Sequence, residues 1–371
     1  MIVNKLNKEM KDSMNKRTRS GLLMMCYGFG ILFCLTLSDQ FSNGWASYLP
    51  ENIHKNISFA FAIISILSIA WMSIFIAREL HHCFIDTNNR KHIIFIAISM
   101  LLIQLVPTFI WLYPNYFTVN NKLIWFLAFF ISVLVISLFS LPFLFIMVNH
   151  SKRPTQFNKI VFPFLVIGIG WTLGCVYYLS IQRYWTTILI LVAVVVVCDI
   201  VAYFAGILFG KHKMAPTISP KKSWEGAIIG SIASSALIIL FIFLFSLIPH
   251  IPCSSMDTPF NFFGVQFENY FNNMYKNWVW WVVISLIIIT LTFFSICGDL
   301  LFSWFKRKNN IKDFGNSLPG HGGFLDRIDS FVVVVVVFAI ITFIISIFTI
   351  IYHASHDNID IYKYLFRGWY K

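Results

Sequence analysis

Asp326 and Asp329 stand three residues apart with Arg327 between them, directly after His321, Gly322 and Gly323. Residues three apart share a helix face. If a helix starts here, both carboxylates lie near its N-terminus, where backbone N–H groups point outward and the dipole is positive. N-capping by one aspartate is the plainest account of that placement, but it leaves the histidine, the glycines and the arginine unexplained. Upstream, Lys306, Arg307 and Lys312 follow Ser303. Hard cations such as Mg²⁺ take carboxylate oxygens and usually bridge substrate phosphates as well. Arginine offers phosphate a planar fork and lysine a compact charge, and glycines such as Gly320, Gly322 and Gly323 let the backbone approach a ligand closely. Carboxylates beside a basic, glycine-rich turn suit a site that joins a metal to a polyphosphate.

An earlier segment, 198–226, has a related composition: Asp199, then Lys211, Lys213, Lys221 and Lys222 interleaved with Ser219 and Ser223. Asp199 and Asp299 each sit in or beside a long apolar run. A carboxylate at membrane depth is costly and usually faces a protein interior. It could pair with a nearby lysine for packing, relay ions in a transporter, or bind metal or substrate. The dense basic loops beside both aspartates favour the last.

The elements that must position these groups are membrane helices. Of 371 residues, 58% are hydrophobic and 12% charged, against about 25% charged in an ordinary soluble domain. Apolar stretches of about twenty residues, the length that crosses a bilayer core, recur near 21–38, 57–77, 93–113, 123–148, 160–181, 184–209, 226–248, 278–301 and 330–352. The expectation is an all-α, polytopic integral membrane protein with about nine transmembrane helices. Residues 1–158 would form an N-terminal region of about four helices, and 159–371 a catalytic region with cytoplasmic loops at 210–225 and 302–330. No cleavable signal peptide is evident, so the first span reads as an uncleaved anchor.

Of the 28 lysines and arginines, 21 fall on the N-terminal side of the membrane in this topology and 7 on the other. Cationic loops stay in the cytoplasm, so the N-terminus and both charged segments should face it, at the plasma membrane if the source is prokaryotic. The net charge of +12 then follows from topology and calls for no nucleic acid. The seven cysteines form no CxxC pair and read as small apolar packers. No internal repeat of the kind many transporters carry is evident.

The order of residues in 303–329 says more. Ser303, Lys306-Arg307, Lys312-Asp313, Gly315, Leu318-Pro319, His321-Gly322-Gly323 and Asp326-Arg327-Ile328-Asp329 resemble the signature of the phosphatidate cytidylyltransferases, or CDP-diacylglycerol synthases. Asp199, "AYF", "FGKHK", "ISPKK" and "EG" in the earlier segment are similar to that family too. The resemblance covers about 185–345. Phe302 stands where many bacterial members carry Glu, Ile207 where a basic residue is common, and Ser223 where Thr is common.

The resemblance implies transfer of CMP from CTP to phosphatidate in a Mg²⁺-dependent homodimer embedded in the lipid bilayer, with a second cation such as K⁺. It implies Asp299 and Asp326 as metal ligands, with Arg327 and Asp329 beside them in the catalytic group. Ser303, Lys306, Arg307, Lys312, His321, Gly322, Gly323, Asp199, Lys211, Ser219, Lys222 and Ser223 are the expected substrate-binding residues. A CTP-dependent lipid-alcohol kinase would release CDP in place of pyrophosphate, and a transporter or structural membrane protein would not turn nucleotide over.

Overall fold

In a computed structural model the protein is described at Gly30 and over residues 51–87, 89–112, 122–181, 185–246, 278–318 and 322–356. The expected first span at 21–38 (Gly30 apart), the segment 249–277 and the tail after 356 lie outside the described residues. The described stretches from 51 to 356 hold eight helices: α1 (Glu51–Phe84), α2 (Arg90–Leu112), α3 (Lys122–Asn149), α4 (Gln156–Ile181), α5 (Trp185–Phe209), α6 (Trp224–Ser246), α7 (Trp278–Lys308) and α8 (Leu325–His356). Four stretches among the described residues are long and apolar enough to cross a membrane: Gln156–Val176, Thr187–Phe209, Trp224–Leu244 and Trp281–Lys308.

The described fold is mostly helical, as expected, with one small addition. The expected loop at 210–225 forms an antiparallel hairpin, β1 (Lys213–Ala215) and β2 (Ser219–Ser223). Its cause is local. Pro216 presets the backbone angle for a tight turn, and the Ile218 N–H closes that turn on the Ala215 carbonyl at 3.1 Å.

The chain forms two compact units, each assembled from stretches distant in sequence. The first takes residues 1–101, 141–167 and 306–328. Its core packs Ile76, Leu80 and Phe84 of α1, Ile96 and Met100 of α2, Leu144 and Val148 of α3 and Phe162 of α4, all fully buried. Phe84 and Phe162 meet with ring centroids 5.5 Å apart. Helix α1 ends where His81 O accepts from both Ile85 N and Asp86 N, with Asp86 in the left-handed region at φ 50°, a stop that Asp and Asn tolerate. Arg153 donates to the carbonyls of Cys83 and Asn309 at 3.1 and 3.3 Å, and Asn158 donates to Asn309 Oδ1 at 2.8 Å. These bonds tie the end of α7 into the unit.

The second unit takes residues 102–140, 168–305 and 329–371. Helices α5 and α6 touch backbone to backbone along a seam of small residues. A Cβ on Gly226 would lie 2.8 Å from Gly206 Cα, and one on Gly230 would lie 2.6 Å from Ala202 Cα. Between apolar helices, close packing of small residues replaces the hydrophobic drive that lipid removes. Ser223 sits at the top of the seam and caps α6 by accepting from Gly226 N at 3.2 Å. Since β2 runs directly into that cap, the seam fixes where the hairpin leaves the helices.

Candidate active site

The second unit gathers one group of charged residues. Asp299, on α7, accepts from Lys222 Nζ at 2.6 Å through Oδ2 and from Ser303 Oγ at 3.3 Å through Oδ1. Lys222 projects from β2 and also reaches the Ile296 carbonyl at 3.5 Å. Asp199 of α5 is exposed and lies within electrostatic reach of both Asp299 and Lys222. Helix α8 packs against this turn of α7, because Gly298 leaves room for it. A Cβ there would meet Val333 Cβ at 3.0 Å and Ser330 Cα at 3.1 Å. Asp329, buried on α8, accepts from Ser330 N at 2.7 Å.

On the hairpin, Glu225 accepts from the backbone N–H groups of Lys211 and His212 and meets His212 Nδ1 at 2.6 Å. This fixes the turn that carries Lys211, whose side chain is exposed, while Ser219 opens β2 half-buried. Ser223, expected to bind substrate, is buried, and its hydroxyl serves the helix cap described above. Its sequence position at the end of a lysine run suggested a ligand, but the α5–α6 seam encloses it.

The first unit holds the second group. Lys306 Nζ donates to Asp326 Oδ1 at 2.7 Å, with side chains only 10% and 5% exposed. The same ammonium lies over the Phe314 ring, 5.3 Å from its centroid. The other carboxylate oxygen, Oδ2, accepts from Phe314 N and Gly323 N, both at 2.9 Å. Asp326 therefore closes the loop at its base, near the N-terminus of α8, as the three-residue spacing suggested, but with both oxygens holding donors. Gly322 adopts φ +86°, where a side chain would be strained and would press on Asp313 and Asp326 at 3.2 Å. The Leu318 N–H donates to Gly322 O at 2.9 Å.

Arg307 is exposed and donates to the Ile311 carbonyl at 3.3 Å, while Lys312 and Arg327 are also exposed. His321 lies outside the described residues. Phe302 is buried against Phe305 at 5.8 Å between ring centroids, which excludes this position from ligating anything.

One residue of this group went unread in the sequence. Glu79 of α1 is 2% exposed and reaches into the same loop, accepting from Ser317 Oγ and from Phe324 N and Leu325 N. The rule that flagged Asp199 and Asp299, a carboxylate where burial makes it costly, applies to it equally. Its signal in the sequence is weak because "RELHH" lies just past the expected span at 57–77, outside the apolar run.

Among the described residues no three His, Cys, Asp or Glu side chains cluster as a self-sufficient metal cage. Asp299 stands beside Lys222, with Asp199 within electrostatic reach of both, and Asp326 stands beside Lys306. Mg²⁺ commonly takes one or two carboxylates and completes its shell with water and substrate phosphate. The donors present fit that usage.

The sequence profile described as "Cytidylyltransferase family" matches residues 53–345. This chain belongs to the cytidylyltransferase family. The match takes in both charged groups and Glu79. Curated relatives agree. A Mycoplasma pneumoniae protein, provisionally named a phosphatidate cytidylyltransferase, is 29% identical over 307 residues, 76% of this chain and 75% of its own length. The phosphatidate cytidylyltransferases of Rickettsia typhi and Rickettsia bellii are 39% and 41% identical over 140 and 134 residues, 38% and 36% of this chain. Those two matches span about half of each Rickettsia protein, 51% and 48%.

Proposed function

We propose that this cytidylyltransferase is a phosphatidate cytidylyltransferase: it moves CMP from CTP to phosphatidate, giving CDP-diacylglycerol and pyrophosphate for phospholipid synthesis. The observation that carries this reading is the family match across 53–345, which contains both lysine–carboxylate groups. A phosphate oxygen of phosphatidate forms a bond to the α-phosphorus of CTP. The bond from that phosphorus to the bridging oxygen breaks, and pyrophosphate leaves with the electron pair.

Little covalent help is needed for such a transfer. Positioning and charge neutralisation supply most of the acceleration. Lys306, Arg307 and Lys312 are the cations for the triphosphate or the lipid phosphate, with Lys211, Lys222, Ser219 and His321 as further contacts. Gly322 and Gly323 admit phosphate oxygens to the backbone. Asp299 and Asp326 are the proposed ligands of Mg²⁺, with K⁺ as a further cation, and bound cations would supply charge neutralisation to the transferred phosphoryl group. Asp299 meets Lys222 and Asp326 meets Lys306, and in this proposal each lysine would turn from carboxylate to phosphate when substrate arrives. Asp329 and Arg327 support the group from α8, and Asp199 stands beside Asp299.

The reading includes about nine membrane-spanning helices, a site facing the cytoplasm at headgroup depth and assembly as a homodimer. The deciding experiment incubates purified protein with labelled CTP, phosphatidate and Mg²⁺, omitting each in turn. Label in the lipid fraction with stoichiometric pyrophosphate supports the proposal. CDP as the product would indicate γ-phosphoryl transfer instead, and absence of nucleotide turnover would reject an enzyme of this class.

A further inference from the structure

We infer that Glu79 is a positioning residue for the reaction: a buried carboxylate, far away in sequence, around which the loop carrying Asp326 is built. The inference rests on the proposed activity and adds a residue to it. The side chain enters from α1 and takes donors from both limbs of the loop. Oε1 accepts from Ser317 Oγ at 2.5 Å and Phe324 N at 2.7 Å, and Oε2 accepts from Leu325 N at 2.7 Å. Phe324 and Leu325 are the entry to α8, so Glu79 meets the first free N–H groups of that helix, where its dipole favours negative charge.

The loop is shaped to admit it. A Cβ on Gly323 would lie 2.7 Å from Glu79 Oε2, and one on Gly315 would lie 3.0 Å from its Cγ. Those two glycines belong to the signature stretch, and this contact gives each a reason to lack a side chain. Gly323 also donates its N–H to Asp326 Oδ2. A single glycine thus touches Glu79 on one side and Asp326 on the other, and Asp326 in turn holds Lys306. Displacing Glu79 shifts the peptide that sets both groups. A buried carboxylate is also an expensive way to fill space: removing its charge-assisted hydrogen bonds leaves buried donors unmet.

The test compares Glu79→Gln with Ile96→Ala, a truncation of a fully buried α2 side chain with no contact to the loop's hydrogen bonds. Gln keeps the size but turns one acceptor into a donor facing the backbone N–H groups. Kinetics and thermal unfolding are read on the full chain in detergent. The wild type in the same assay must first make CDP-diacylglycerol and pyrophosphate; if it does not, the activity fails and the Glu79 inference is not what failed. With that in hand, Glu79→Gln should lower kcat by at least about tenfold, the usual scale for a residue that orients a ligand. KM for CTP and phosphatidate should stay within about threefold, and Ile96→Ala should keep its kcat at an equal loss of Tm. A Glu79→Gln protein with near wild-type kcat overturns the inference, as does loss of kcat in proportion to Tm in both variants. If Glu79→Gln does not insert, Ser317→Ala decides: it removes one donor to the carboxylate, and an unchanged kcat overturns the inference while a drop of about threefold at constant KM supports it.

Discussion

At the residue scale the two lysine–aspartate pairs predict different things. Lys306 and Asp326 are nearly enclosed, whereas the side chains of Lys222 and Asp299 are 23% and 32% exposed. Breaking an enclosed pair strands a charge and costs about 3–5 kcal/mol, while a half-exposed pair is worth about 0–1 kcal/mol. Asp326→Asn should therefore lose both turnover and thermal stability. Asp299→Asn should lose turnover with its Tm nearly intact. Asp329→Asn should keep measurable activity, since losses through a supporting group run about ten- to a hundredfold. Product assays across a Mg²⁺ titration, with unfolding scans on the same preparations, check all three. Normal turnover by Asp326→Asn at ordinary Mg²⁺ would remove it from the metal site.

At the element scale the α5–α6 seam is the most exacting contact. Gly230→Ala puts a methyl 2.6 Å from the Ala202 backbone, which cannot yield as a side-chain tip would. Overpacking of this kind costs about 1–3 kcal/mol, and a Tm decrease in detergent measures it. A second element-level effect concerns acid. His81, at the end of α1, and His92, at the start of α2, lie outside the spans expected at 57–77 and 93–113. They are joined through Thr87 Oγ1 at 3.3 and 3.1 Å. Burial lowers the pKa of His81 from 6.5, and the charges of His92 and His82 add to that while Asp86 opposes it. Burial first and then His150 lower that of His92. The unfolded chain then binds more protons than the native one below about pH 6.5, so stability falls as pH drops from there toward the lowered native values. Tm should decline between about pH 7 and 5, and His81→Gln should flatten the decline. A pH-independent Tm in the wild type would refute the assignment.

On the scale of the whole molecule, the charge asymmetry predicts sidedness. A cysteine replacing Lys308, exposed at the end of α7, should resist an impermeant reagent added outside intact cells and react once the membrane is opened. Labelling from outside would reverse the topology. The mostly helical fold was legible in the sequence, because a twenty-residue apolar run is a strong local signal. The segment 302–330 stands out because its charged residues are contiguous, but α7 runs on through Lys308 and α8 begins at Leu325, so the loop is shorter than expected. The hairpin at 213–223 was missed because its lysines and prolines carry no alternating apolar face. Glu79 and the capping role of Ser223 were missed because each depends on what another stretch brings to it. Among the described residues, four helical stretches are long and apolar enough to cross a membrane.

Glu79 and its partners lie between 238 and 246 residues apart along the chain. A ribosome delivers α1 long before the loop exists, so through most of synthesis this carboxylate waits without the donors that later enclose it. The loop then closes only once α8 begins to emerge, and the closing contact is among the slowest kind, between segments far apart in the chain. A chain released before α8 is made would meet the quality-control machinery with an unsatisfied acid in α1.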